Sequence, residues 1–176
     1  KAWVEWALAL FHAGLALHDG VLSGKNGVLE HLEGAEAAAR ELQPWAMSVV
    51  LARRSEALIK ESRYREAGFF LRRLETSHRQ GHAPPGAIAF AHVLKSRMRY
   101  DQGRYEEAEQ LLVKAPAGAR MTAQTLGMQA LTAGRRIFLV PPEEARQLLA
   151  EAASNLLLAL GHVFLYEADA SQQAQI

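Results

Sequence analysis

Two histidines have a spacing that could support metal chemistry. His78 and His82 are four residues apart, so two imidazoles on one helix face could chelate a metal ion. However, Gly81 and Pro84 place both histidines at a helix end, and no third histidine is close in the sequence. The chain has no cysteine, which excludes disulfides, thiolate metal sites and cysteine nucleophiles. We therefore expect no metal site and no cofactor.

Motifs that would indicate an enzyme are also missing. The Gly24-Lys25 pair lacks the four-residue gap and the following Ser or Thr of a phosphate-binding loop. Neither the Gly-x-Ser-x-Gly nucleophile motif nor a His-Glu-x-x-His zinc motif occurs. The pairs Glu106-Glu107 and Glu143-Glu144 stand at predicted helix starts, where the helix dipole favours carboxylates. The sequence predicts no catalytic residue, and hence a protein that is not an enzyme.

Charge is unevenly distributed along the chain. Residues 1–52 carry three Lys/Arg and six Asp/Glu, residues 53–104 carry twelve and five, and residues 105–176 carry five and eight. The central segment therefore has a net charge of +7, and ten of its twelve cations are arginines. Arginine binds carboxylates and phosphates through a planar fork. The segment is interpreted either as solvated helix faces with local glutamate partners or as a surface for an acidic partner. Direct nucleic-acid binding is disfavoured, because aromatic residues are not interleaved with the cations.

The elements that must position these residues are helices. Alanine, leucine, arginine and glutamate dominate, and no stretch of strand length alternates apolar and polar residues. Glycine and proline mark turns at regular intervals, and Pro44 and Pro141-Pro142 stand where proline opens a helix. The pattern predicts an all-α fold of about eight or nine helices. The predicted helices lie near 2–18, 28–42, 45–61, 64–79, 85–101, 104–115, 119–136, 142–153 and 154–168.

Apolar stretches are too short or too interrupted for a membrane-spanning helix, which needs ~20 consecutive apolar residues. The longest ones, residues 2–17 and 156–166, are interpreted as helices buried on most sides. We expect no membrane partner and a cytoplasmic location. Because the chain begins with Lys1 rather than methionine, we also expect a fragment of a longer protein.

A six-residue segment recurs along the chain. Ser62-Arg63-Tyr64-Arg65-Glu66-Ala67 matches Gly103-Arg104-Tyr105-Glu106-Glu107-Ala108, and a weaker third copy ends at Ala145. The three alanines are separated by 41 and 37 residues. Self-similarity at such a period is typical of a helical solenoid, in which hairpins stack because one hairpin cannot bury its apolar face alone. The small alanine lets two helices approach closely, and the aromatic residue fills the space next to the turn.

At these residues the chain resembles the tetratricopeptide repeat family. Gly103, Tyr105 and Ala108 fall on the family's turn glycine, aromatic and small-residue positions, and the first copy keeps Tyr64 and Ala67. Leu126-Gly127 falls on the leucine–glycine pair of the first helix of a repeat, with Gly134 at the turn position. The longer period is similar to that of the large MalT-type bacterial transcription regulators. The resemblance covers roughly residues 45–153.

The resemblance implies one solenoid domain over residues 1–176. Its hairpins would lie at about 1–43, 44–80, 84–116 and 118–153, followed by a terminal helix at 154–170. It implies a module that binds a protein or peptide in a concave groove lined by first helices, and the basic central segment favours an acidic partner. Carried over to this chain, the groove positions are Glu56, Lys60, Phe90, Val93, Arg97, Tyr100, Gln124, Met128 and Leu131. The alternatives are a structural or self-associating repeat segment of a larger regulator, which leaves a homo-oligomer open, and a basic array that contacts nucleic acid.

Overall fold

The computed structural model describes residues 1–115 and 123–173, with side chains described for residues 1–115 and 126–159. All regular structure in these residues is helical, in eight α-helices and one short 3-10 helix, which confirms the predicted all-α fold. The helices are α1 (Ala2–His18), α2 (Val28–Ala39), α3 (Pro44–Lys60), α4 (Tyr64–Arg79), α5 (Pro85–Asp101), α6 (Tyr105–Val113), α7 (Ala123–Arg136) and α8 (Pro142–Gln173). The 3-10 helix, Ile137–Leu139, lies between α7 and α8.

Most predicted helix boundaries lie within a few residues of the observed ones, but the predicted break between residues 153 and 154 is wrong. Helix α8 runs without interruption from Pro142 to Gln173. No proline or glycine follows Pro142 before Gly161, so nothing there forces the helix to end. The predicted loop at 116–118 and the predicted helix start at 119 lie outside the described residues.

The chain divides into two compact units, Lys1–Leu94 (unit 1) and Lys95–Ile176 (unit 2). In unit 1, α1 packs on α2, α2 on α3, and α3 on α4. In unit 2, α6 packs on α7, and α7 packs on α8. Helices that are consecutive in sequence and pack on each other are typical of helical hairpins. The single repeat domain and the solenoid arrangement stay predictions.

Small residues make up much of the core of unit 1, because alanine lets neighbouring helices approach closely. One buried cluster joins α1, α2 and α3 and contains Ala13, Ala16, Val28, Leu32 and Ala57. A second cluster joins α2 and α3 and contains Ala35, Ala39, Ala46 and Val50. Burial of these apolar side chains is the main favourable contribution to the packing of the first three helices.

All three tryptophans of the chain form one cluster in unit 1. Trp3 and Trp6 lie in the first turns of α1, and Trp45 lies in the first turn of α3. The three ring centroids are 5.5–5.6 Å apart, with two of the three pairs edge to face. Aromatic pairs of this geometry stabilise a contact by about 0.5–1.5 kcal/mol beyond area burial. The cluster therefore joins the beginnings of α1 and α3.

Helices α3 and α4 form an antiparallel hairpin. Ser48 lies near the start of α3 and Ser77 lies near the end of α4, and their hydroxyl oxygens are 3.2 Å apart. On the α4 side of the hairpin, Leu71 and Leu74 are fully buried. Of the three residues between the helices, Ser62 and Arg63 belong to the first copy of the repeated segment.

The two clear copies of that segment form the same turn. Ser62 and Gly103 both have positive φ, +59° and +76°. The next N–H in each copy, from Arg63 or Arg104, donates to a carbonyl five residues back over 2.8 Å. The Ser62 and Gly103 N–H groups each donate to a carbonyl three residues back over 2.9 Å. These paired bonds are the Schellman arrangement that ends a helix, and they require a residue in the left-handed region.

The repeated alanines lie one turn into the following helix. Ala67 and Ala108 are fully buried, and each N–H donates over 3.0 Å to the carbonyl four residues back. Ala145 makes the same bond to Pro141, over 2.9 Å, but is only half-buried. The first two copies are thus equivalent in conformation and burial, whereas the third shares only the backbone arrangement.

Two glycines assigned by the resemblance lie inside α7. Gly127 lies in its first half, and Gly134 lies two residues before its end. The prediction that Gly134 forms a turn is wrong, because the helix continues through it and is followed directly by the 3-10 helix. A Cβ atom added at either glycine would meet no other atom within 4 Å. Neither glycine is therefore required by close packing of a neighbour.

Candidate binding groove

Most of the arginines in the basic central segment are paired with carboxylates. Of its ten arginines, at least seven lie within 4 Å of an Asp or Glu oxygen: Arg53, Arg54, Arg63, Arg73, Arg97, Arg99 and Arg104. Some of the carboxylate partners come from the acidic segments on either side, residues 1–52 and 105–176. Glu36 pairs with both Arg54 and Arg73, and Glu107 pairs with both Arg99 and Arg104. The +7 charge of the sequence segment is therefore largely compensated within the folded units, which supports the interpretation as paired helix faces.

The groove residues predicted for unit 1 are Glu56, Lys60, Phe90 and Val93. Arg53 connects two of them, since its guanidinium lies 2.8 Å from a Glu56 oxygen and 5.5 Å from the centroid of the Phe90 ring. Lys60 is exposed at the end of α3. Val93 is only 8% exposed, so little of its side chain is accessible to a ligand. Glu56 and Phe90 are thus engaged with a neighbouring arginine, whereas Lys60 is open to solvent.

The residues predicted for unit 2 differ in exposure. Arg97 is exposed and pairs with Asp101 over 2.8 Å, and its guanidinium lies 5.9 Å from the centroid of the Tyr100 ring. Met128 is only 6% exposed, so little of its side chain is accessible to a ligand. Its apolar side chain faces the core of the unit. The side chain of Gln124 lies outside the described residues.

Unit 2 contains a groove between α7 and α8, with a volume of about 600 Å³. We call it the α7–α8 groove. One face of α7 lines it at helical spacing, with Gly127, Ala130, Leu131 and Gly134, and Phe138 follows in the 3-10 helix. From Gly127 to Phe138 this wall extends about 16 Å along the helix. It alternates small residues with large apolar ones.

Helix α8 forms the opposite wall, with Leu149, Ala152, Ala153 and Leu156 at spacings of three, one and three residues. The large apolar side chains of both walls are exposed. Leu131 is 49% exposed, Phe138 84%, Leu149 60% and Leu156 52%. A contiguous exposed apolar surface of this kind marks an interaction site more often than an ordinary surface. The small residues between these side chains leave room for a ligand.

Tyr100 and Arg135 form the polar part of the lining. The Nε of Arg135 donates a hydrogen bond of 3.0 Å to the Tyr100 hydroxyl oxygen, and this bond raises the pKa of Arg135. No carboxylate among the described residues lies within ion-pair distance of Arg135. Among the described residues, its charge is therefore held in place by a neutral phenol and can meet an anion.

The next residue, Arg136, has the opposite surroundings. It is mostly buried and forms ion pairs with Glu109 of α6 and Glu144 of α8. Neighbouring residues of one helix point to different sides, so Arg136 connects three helices while Arg135 faces the groove. Arg136 is thus part of the fold, and Arg135 is part of the groove.

Unit 1 contains a smaller cleft of about 370 Å³ between α3 and α4, which we call the α3–α4 cleft. Met47 and Leu51 line it from α3. Helix α4 lines it with larger and more polar side chains, Phe69, Arg72, Arg73, Thr76 and Ser77, and Gln80 follows directly after the helix. Arg73 also contacts the Glu36 carboxylate and the Phe69 and Phe70 rings. This cleft is therefore more polar and more occupied by its own side chains than the α7–α8 groove.

Features that would indicate a metal site or a membrane span are not found in the described part of the chain. No three metal-ligating side chains come together there. His78 lies at the end of α4, where its Nδ1 is 3.2 Å from the Ala83 carbonyl oxygen, so it interacts with the following loop. None of the described helices is both long and apolar enough to cross a bilayer.

Sequence reasoning found part of this groove and missed part of it. Tyr100 and Leu131 were assigned to a groove through the resemblance, and both line this one; Gly127, which the resemblance gave a structural position, lines it as well. Arg135 and Phe138 were missed, because the resemblance placed the turn of a repeat at Gly134. The i, i+3, i+4, i+7 spacing of small and large apolar residues in both helices is the signal that would have indicated the shared surface.

Comparisons with family models, curated protein sequences and solved structures find no match to this chain.

Proposed function

We propose that this chain is a protein–protein interaction module of the tetratricopeptide-like helical-repeat kind, and that its α7–α8 groove binds a helical segment of a partner protein. The observation that carries the proposal is the exposure of four large apolar side chains around a floor of glycine and alanine. Exposing this surface to water is unfavourable, and an apolar face of a partner would remove it from water.

The shape of the groove supports a helix as the bound segment. Its two walls are helix faces, and its length of about 16 Å corresponds to three helical turns. Small residues at Gly127, Ala130, Gly134 and Ala152 allow the close approach by which the side chains of one helix pack between those of another. An amphipathic helix presents apolar side chains at i, i+3, i+4 and i+7, which is the spacing of the groove walls.

The charge at Arg135 supports an acidic residue in that segment. A carboxylate next to the Tyr100 hydroxyl could accept hydrogen bonds from the planar guanidinium. The proposed partner segment is therefore apolar on one face and acidic near one end. The pairing of the arginines in the central segment weighs against the alternative of phosphate contacts with nucleic acid.

The resemblance to MalT-type regulators supports a more specific setting. It favours a cytoplasmic scaffold or partner-sensing module in a larger bacterial transcription regulator. This setting rests on the repeated segments at Tyr64–Ala67 and Tyr105–Ala108 and on the family they resemble.

Selection from a displayed peptide library tests the groove. The library would consist of helical peptides of about 14 residues with one randomised face, panned against the immobilised chain. We expect enriched peptides to carry apolar residues at helical spacing and an Asp or Glu near one end. We expect Leu131→Glu to weaken their binding by about tenfold or more, because it places a charge against an apolar face.

A matched control keeps this test specific. Val113 is 55% exposed on α6 and does not line the groove, so Val113→Glu introduces the same charge on the same unit elsewhere. Both substitutions are at exposed positions and should preserve the helical circular dichroism spectrum. Equal binding by Leu131→Glu and the unmodified chain would refute the groove, and a library without enriched peptides would refute the proposed function.

A further inference from the structure

Helix α1 carries a second exposed apolar surface. Val4, Leu8, Phe11 and Leu15 are 62%, 52%, 61% and 48% exposed. Their spacings of four, three and four residues place them in one stripe along the helix. Such a stripe is what an amphipathic helix presents when it packs on a partner. We call it the α1 stripe.

The α1 stripe fits the α7–α8 groove in length and relief. The stripe runs from residue 4 to residue 15 and the α7 wall runs from residue 127 to residue 138, so both extend over the same eleven helical steps. If α1 lies antiparallel to α7 with Val4 at Phe138, then Leu8 faces Gly134 and Leu15 faces Gly127. A Cβ added at either glycine would meet nothing within 4 Å, so each glycine leaves open space for a leucine side chain.

The same alignment brings opposite charges together. Glu5 is next to Val4, so it comes near the end of α7, where Arg135 faces the groove without a carboxylate partner among the described residues. Glu5 has an exposed interaction with Lys1 over 3.9 Å, which contributes little and is readily exchanged. The opposite direction of α1 would place Glu5 near Gly127, away from Arg135. Charge therefore selects the antiparallel alignment.

We propose that the groove is occupied by α1 of a second copy of this chain, so that copies associate head to tail. The proposal rests on the proposed function, since it names the partner segment for the same groove. Donor and acceptor surfaces differ, so the contact is heterologous, and each added copy leaves one stripe and one groove open. A single helix in a groove is a small interface, and we expect a dissociation constant on the order of 10 µM.

Sedimentation velocity of three purified forms tests the contact. The unmodified chain should show a weight-average mass that rises with concentration. Leu8→Glu and Leu131→Glu should each remain monomeric, because each removes one of the two surfaces from every copy. An equimolar mixture of the two variants should form a one-to-one dimer, since one variant keeps its groove and the other keeps its stripe. Both replaced side chains are about half exposed, so both variants should fold.

The same variants distinguish other arrangements. If two stripes pair with each other, Leu131→Glu alone will still self-associate. If two grooves pair, Leu8→Glu alone will. Either result, or a monomeric unmodified chain at about 100 µM, overturns the head-to-tail contact. Enriched peptides that bind the groove of a monomeric chain would leave the proposed function intact while removing this inference.

Charge reversal at Glu5 and Arg135 and a larger side chain at Gly134 test the antiparallel alignment of α1 and α7. Glu5→Arg and Arg135→Glu should each weaken association severalfold, and the double variant should recover most of it because the charge pair is restored in reverse. Gly134→Leu fills the space proposed for Leu8 without changing charge, and it should reduce association by about tenfold or more. A double variant that associates no better than the single ones, or unchanged association of Gly134→Leu, would contradict the antiparallel alignment.

Discussion

The α3–α4 cleft of unit 1 and the α7–α8 groove of unit 2 both lie between two packed helices, yet they differ in what fills them. In the cleft, α4 supplies Phe69, Arg72 and Arg73, and Arg73 is held by a carboxylate and aromatic rings. In the groove, α7 supplies Gly127, Ala130 and Gly134, and the large residues stand around them. Buried alanines and leucines thus support the helix pairs, while the residues beside them decide whether the surface between two helices is filled or open.

The largest predicted change in the free energy of unfolding is for the core of unit 1, and the groove of unit 2 should be much less sensitive. Leu71 is fully buried, and Leu71→Ala should lower the free energy of unfolding of its unit by about 3 kcal/mol. Leu131 is 49% exposed, and Leu131→Ala should cost less than about 1 kcal/mol. Urea unfolding followed by circular dichroism measures both. Equal losses would mean that Leu131 is a core residue and that the groove is closed in solution.

A second prediction separates two adjacent arginines. Arg136→Ala removes ion pairs with Glu109 and Glu144 and should lower the free energy of unfolding by about 2 kcal/mol. Arg135→Ala removes only a bond to a neutral hydroxyl and should change it by less than about 0.5 kcal/mol. Chemical denaturation of both variants provides the measurement. A larger loss at Arg135 than at Arg136 would reverse their assigned roles.

A third prediction concerns smaller changes in stability at the two copies of the repeated turn. Gly103 has a φ of +76°, and a Cβ added there would meet no atom within 4 Å, so Gly103→Ser should cost about 1 kcal/mol through backbone conformation alone. Ser62 has a φ of +59°, and Ser62→Gly should gain up to about 1 kcal/mol for the same reason. Thermal unfolding of both variants checks the opposite signs. Two changes of the same sign would show that the turns are not equivalent.

The smallest predicted change in stability concerns Glu61, which precedes Ser62 in the turn of unit 1, at low pH. The Glu61 carboxylate accepts hydrogen bonds from the Ser23 hydroxyl and from Arg63, and these bonds lower the pKa of Glu61. A lowered carboxyl pKa stabilises the fold above the unfolded value of about 4.3, and the contribution is lost as pH falls through the folded value. Ser23→Ala should therefore make the urea midpoint fall slightly less between about pH 6 and about pH 3. An unchanged pH dependence would exclude the Ser23 contribution.

The local sequence pattern predicted the fold well at positions where the residue type itself indicates a structural role. Alanine at 67 and 108 indicated close helix contacts, and both residues are fully buried. The groove was less predictable, because it depends on which faces of α7 and α8 meet. Met128 has the type of an interface residue but is buried, and Arg135 has the type of a surface residue but shares a cavity with apolar side chains. Composition could not distinguish these two cases.

The clustering of all three tryptophans in unit 1 gives the protein a localised optical signal. Trp3, Trp6 and Trp45 are in mutual contact, and unit 2 contains no tryptophan, so near-ultraviolet emission excited in the indole band arises entirely from the first and third helices. Quenching or a spectral shift during unfolding would report when the starts of these helices separate. The tryptophan signal would therefore follow the melting of unit 1, and circular dichroism of the whole chain would reveal whether the two units melt at one temperature or at two.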